Sequence, residues 1–121
     1  MPSPYRNGFG PTPAPACDVI VRIQGGHTTI QGVIDSGASR TAIPTSVVAQ
    51  LHIRRQGDIR TSGAYGGSQL RGLYVVDLEL LGREFPSHPV GEVDRPYALI
   101  GRDILNRYVT TLDGPALQFD M

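Results

Sequence analysis

Lysine is absent: all 11 basic residues are arginine, and 11 acidic residues balance them to a formal charge of zero. Without lysine there is no P-loop and no Schiff-base chemistry. Without net charge or a basic run, the field that non-specific nucleic-acid binding requires is missing. Cysteine occurs once, at Cys17, which excludes an intramolecular disulfide. No apolar run approaches the roughly 20 residues needed to span a bilayer. The N-terminus also lacks a charged segment followed by an apolar stretch. We therefore expect a cytoplasmic chain that engages neither membrane nor nucleic acid. There is no Gly-x-Ser-x-Gly elbow, and the single cysteine has no cysteine-protease signature around it. His27, His52 and His88 are too widely spaced for a zinc site, so they read as surface or strand residues, and no metal or cofactor is expected.

The 121 residues suffice for one domain that buries about two thirds of its unfolded surface. Of its 10 prolines, 5 fall in residues 1–16, a stretch with few apolar residues. That composition predicts a flexible arm over 1–16 and a folded domain over 17–121. Beyond Cys17, glycine and proline punctuate short apolar runs, the pattern of β structure. Asp18–Gln24 alternates Val19, Val21 and Ile23 against Ile20 and Arg22, turns at Gly25-Gly26, and returns through Thr28–Ile34. Further strands are predicted over Asp58–Thr61, Gln69–Leu81, Arg83–Val90, Val109–Asp113 and Ala116–Asp120, the last two split by Gly114-Pro115. Helices are predicted only over Thr45–Leu51, capped by Thr45 or Ser46, and over Asp103–Tyr108. The fold class is all-β, with one or two short helices.

Chemistry concentrates in two stretches. In Val33-Ile34-Asp35-Ser36-Gly37-Ala38-Ser39 an apolar strand delivers an acid into a turn of small residues. Alone, Asp-Ser-Gly is an ordinary Asx-turn composition. Downstream, Ala98-Leu99-Ile100-Gly101-Arg102-Asp103-Ile104-Leu105 carries a second apolar strand into a glycine and opens a helix. Between them Thr61–Gly67, TSGAYGG, suits the tip of a mobile hairpin.

In this order the motifs resemble the retropepsin-type aspartic proteases, over roughly residues 18–120. The closing TLDGPALQF is similar to the tail of their bacterial branch. The resemblance implies a closed β-barrel of short strands and an aspartic endopeptidase acting on peptide or protein, with no cofactor. The implied chemistry is sound: a water held between two carboxylates sharing one proton can be deprotonated by one while the other polarises the scissile carbonyl. Two such charges cannot both ionise cheaply, so the pair titrates as a unit. One Asp-Ser-Gly per chain makes this half a site, completed by a homodimer.

By the same resemblance Asp35 is the catalytic carboxylate. Ser36, Gly37 and Ala38 support its loop, with the Ser36 hydroxyl bracing the two loops across the dimer axis. Tyr65, Gly66 and Gly67 form the flap tip, and Ile100, Gly101, Arg102 and Asp103 form a structural second loop. Val33, Pro96, Tyr97 and Leu99 are candidate subsite walls. Retroviral members place an acid two residues after the catalytic glycine to pair with that arginine. Here the position is Ser39, leaving Arg102 to bond backbone carbonyls or an acid such as Asp103 or Asp58. Arg40 is either a solvated turn residue or a pocket residue favouring acidic or polar side chains. Other functions fit the same residues: a non-catalytic peptide-binding or dimerisation module, or a protease limited to processing its own arm.

Overall fold

The computed structural model describes residues 1–62 and 67–121. The chain opens with a two-residue strand β1 (Ser3–Pro4), then the predicted hairpin of β2 (Ala16–Ile23) and β3 (Gly26–Ile34). Alternation dictates their faces: Val19 and Val21 are fully buried, Ile20 between them is half-buried, and the flanking Asp18 and Arg22 are exposed. Gly25 sits at φ 90° in the connecting turn, a conformation closed to most side chains.

There follow β4 (Ala42–Pro44), α1 (Thr45–Gln50), β5 (Gly57–Ser62), the long hairpin of β6 (Ser68–Leu80) and β7 (Arg83–Val93), β8 (Ala98–Ile100), α2 (Arg102–Leu105), β9 (Thr111–Asp113) and β10 (Gln118–Asp120). Hydrogen bonding runs β2-β3-β8-β4-β7-β6, and β6 pairs back to β2, closing a six-stranded barrel with β5 appended to β6. Closure leaves no free edge among the six strands. The barrel interior holds Val19, Val21, Ile43, Leu78, Leu80, Val90 and Ile100, joined by Ile104 of α2 and Phe119 of β10.

The helices differ from expectation at their ends. Pro44, with φ −58°, occupies the N-cap of α1, and neither Thr45 nor Ser46 caps it by side chain. Thr45 instead donates its hydroxyl to Asp94 at 3.1 Å. The second helix closes after Leu105 and continues only as turns to Tyr108, because Arg107 and Tyr108 bond back three residues rather than four.

Parts of the proline-rich stretch 1–16 are paired. β1 lies antiparallel to β10, with Ser3 opposite Phe119, and Arg6 bridges Ala14. Arg6 also contacts Asp18 at 2.7 Å, and Ala16 already belongs to β2. The prolines set extended φ values, which suits an outer strand as well as a loose tail. Together β1, β10 and β9 make a three-stranded sheet, outside the barrel, that joins the two ends of the chain. Among the described residues no helix is long and apolar enough to cross a membrane.

Candidate active site

Asp35 stands where β3 ends. β3 and β8 run parallel with Ile34 opposite Ile100, and the Asp35 amide extends that ladder by donating to the Ile100 carbonyl at 2.9 Å. The chain then turns. Gly37 donates its amide to Asp35 Oδ1 at 2.9 Å, and Ala38 donates to the Asp35 carbonyl at 3.2 Å. The half-buried Asp35 carboxylate is thus fixed by its own turn, while Ser36 and Gly37 are exposed.

The second loop grips the first from behind. Arg102 donates Nη1 to the Ser36 carbonyl at 2.8 Å and its amide to the Ala38 carbonyl at 2.9 Å. This answers the question raised by Ser39: the arginine uses a backbone carbonyl in place of the missing acid. Gly101 is buried, and a Cβ there would lie 2.6 Å from the Arg40 carbonyl carbon and 2.9 Å from the Thr41 nitrogen. Both are backbone atoms that cannot swing aside. Gly101→Ala is therefore expected to cost about 2–3 kcal/mol, read as a lowered urea midpoint at unchanged slope.

A polar cluster lies under the turn. Asp103 Oδ1 accepts from the Thr41 amide at 3.0 Å and the Thr41 hydroxyl at 2.8 Å, and Oδ2 contacts His88 Nε2 at 2.9 Å. The Thr41 oxygen in turn accepts the Gly101 amide at 3.1 Å. Burial pushes the Asp103 carboxyl up, but the hydrogen bonds from His88 and Thr41 and the attraction of His88 outweigh it. The carboxyl is held below the usual carboxylate range. An ionised carboxylate only accepts, so His88 Nε2 carries the donated proton. Sequence reasoning missed this cluster. His88 reads as one polar residue in a strand, yet its side chain is only 5% exposed. The one available signal was Asp103 directly after Arg102.

Above the turn opens a cleft of about 1380 Å³ whose lining includes Asp35, Gly37, Ala38, Leu99 and Arg102. Of the candidate walls, Leu99 lies in it, and Val33, Pro96 and Tyr97 do not. Val33 is held in the ladder between Ala16 and Leu99, and the Tyr97 ring turns edge-on to Phe9 at 5.0 Å. The cleft instead draws on residues unremarked in the sequence, among them Ile59, Arg60 and Glu92. β5 and β6 pair to Ser62 opposite Ser68 at the cleft rim, and Gly67 lines it at φ 75°. Tyr65 and Gly66, expected at the flap tip, lie outside the described residues. Among the described residues no three His, Cys, Asp or Glu side chains gather to hold a metal. Burial pushes the Cys17 thiol up to about 11, against the smaller pull of Arg6, so it is not a nucleophile at neutral pH.

A family model described as "Aspartyl protease" matches residues 19–104, the span from β2 through most of α2. No curated protein matches significantly. Solved structures with a similar fold include the EIAV protease bound to an inhibitor, at 20% identity and TM-score 0.62 over 83% of this chain and 92% of that one. Another is a retropepsin-like aspartic protease from Rickettsia conorii, at 17% identity and TM-score 0.62 over 98% and 87%. The simian foamy virus protease aligns at 18% identity and TM-score 0.57 over 75% and 91%. The chain spans only 12% of the foamy viral protease-reverse transcriptase that it also resembles. At these identities the structural likeness speaks for a retropepsin-like fold.

Proposed function

Because the chain belongs to the aspartyl protease family, we propose that it is an endopeptidase in which two copies each contribute Asp35 to a single site. The observation that carries this reading is the placement of Asp35. It ends an apolar strand at the wall of a large open cleft, its turn pinned from behind by Arg102. A carboxylate so fixed meets its counterpart without reorganisation when a second turn docks against it. Between the pair a water loses its proton to the ionised carboxylate and attacks the scissile carbonyl, whose oxygen takes the proton of the other carboxyl. The first carboxyl then passes the water's proton to the leaving amine, while the other recovers its own as the diol collapses to the acid. The exposed Ser36 suits a contact between the two turns, and Gly37 leaves room for substrate backbone. Substrate lies extended in the cleft as an added strand. The β5–β6 hairpin, paired as far as Ser62 opposite Ser68 at the cleft rim, serves as the flap and closes over the substrate to exclude bulk water.

The β1-β10-β9 sheet offers a second copy an open edge at β9, where Leu112 is exposed. Self-processing of the arm is less well supported, since residues 3–6 and 14 are committed to backbone pairing. The test is peptide cleavage measured against enzyme concentration alongside sedimentation. Activity per chain is expected to fall on dilution in step with the dimer fraction. A monomer that cleaves at full rate refutes the shared site.

A further inference from the structure

The cleft is cationic although the chain is neutral. Arg40, Arg60, Arg71, Arg95 and Arg102 line it, against Asp35, Glu92 and Asp94. Of these arginines, among the described residues only Arg71 is matched to a carboxylate, that of Asp94 at 2.8 Å. Arg102 is spent on the Ser36 carbonyl, Arg60 reaches the Ser68 hydroxyl at 3.2 Å, and Arg95 the Tyr97 hydroxyl at 3.4 Å. Arg40 has no hydrogen-bond or ion-pair partner among the described residues, and it follows the catalytic turn directly. The exposed Arg40 side chain passes near Gly91, its Cδ 4.0 Å from where a Cβ would stand. The guanidinium is left for an incoming acceptor. If two Asp35 carboxylates share one proton across the dimer, the excess of positive charge grows.

Resting on the proposed protease reading, we infer that the cleft selects peptide segments bearing an acidic side chain near the scissile bond, with Arg40 as the residue that recognises it. Arginine suits the role because its planar fork meets a carboxylate through two parallel hydrogen bonds. Arg60 on the opposite hairpin adds long-range attraction. Lysine cannot reproduce the fork, and basic substrate side chains are repelled by the same field.

The test separates selection from turnover by measuring binding to the Asp35→Asn protein. Short labelled extended peptides that differ only in Glu against Gln are followed by fluorescence anisotropy. The Glu peptide is expected to bind roughly tenfold tighter, the yield of one charge-assisted pair. Arg40→Ala in that background brings the Glu-to-Gln ratio to within about twofold, and Arg40→Lys retains part of it. Arg54→Ala, an exposed arginine away from the cleft lining, leaves the ratio unchanged. About 1 M salt also flattens the ratio, since screening there acts within about 3 Å. Equal binding of the two peptides, or a ratio that survives Arg40→Ala, overturns the inference. A ratio that depends on Arg40 in a chain whose wild type cleaves nothing upholds the acidic selectivity and removes the protease reading. Cleavage of Glu and Gln peptides at equal efficiency does the reverse.

Discussion

Asp35→Asn is expected to lower peptide cleavage by at least about a thousandfold while leaving unfolding midpoint and sedimentation close to wild type. The magnitude follows from what is removed. In the proposed mechanism the group acts as general base in one half of the reaction and general acid in the other, and such roles are each worth about a hundredfold to ten-thousandfold. Structural tolerance follows from the geometry. Asp35 Oδ1 accepts a single amide, from Gly37, and an asparagine oxygen takes the same bond. The backbone of the turn is held by the Ile100 carbonyl, by Ala38 and by Arg102, none of which needs the carboxylate. Asparagine therefore separates chemistry from architecture better than alanine. A preparation of Asp35→Asn that is folded, dimeric and still cleaves within tenfold of wild type would show that the catalytic acid lies elsewhere.

The second large effect falls on stability. Asp103→Ala strips the acceptor from the Thr41 amide and hydroxyl and from His88 at once. Thr41 is fully buried and His88 nearly so, and with the Asp103 side chain only 23% exposed water stands in for the lost carboxylate only in part. Breaking a buried charged network from one side costs about 3–5 kcal/mol, against a total stability of about 5–15 for an ordinary domain. Equilibrium urea unfolding measures it. Activity should fall with stability, since Thr41 closes the turn that starts at Asp35. Asp103→Asn is milder, because its oxygen still serves Thr41 and its amino group can face a neutral His88 ring.

The pair of variants also fixes a pH dependence. The folded Asp103 carboxyl titrates below its unfolded value of about 3.9. Its contribution is complete above that unfolded value and is lost as pH falls through the folded one. The stability gap between wild type and Asp103→Asn is expected to be widest near neutrality and to close on acidification below about pH 4. A gap that widens in acid would mean that Asp103 is not the stabilising carboxylate.

The parts legible in the letters were local. The β2–β3 hairpin, the Asp-Ser-Gly turn and the glycine before α2 each have causes within a few neighbours: alternation, φ freedom, small residues. Even the missing acid at Ser39 was visible, with backbone carbonyls among the alternatives for Arg102. What escaped was assembled from afar. Residues 41, 88 and 103 meet only because β4 and β7 pair side by side and α2 packs beneath them. The proline-rich start read as loose because nothing local shows that residue 3 will find residue 119. Leu99 lines the cleft, but Val33, Pro96 and Tyr97 lie outside its lining for the same reason. Tyr97 is apolar and adjacent to a motif strand, yet its ring is claimed by Phe9, which lies far away along the chain.

By itself, then, the amino-acid order determined a neutral, lysine-free β chain with one acid on a tight turn and the loop that backs it. Those features follow from propensity, periodicity and the steric allowance of glycine, which act over a handful of residues. Only the closed barrel decided which side chains sit beneath that turn and which arginines surround the cleft. Such neighbours are set by strand register across the whole chain, and no window of sequence contains them.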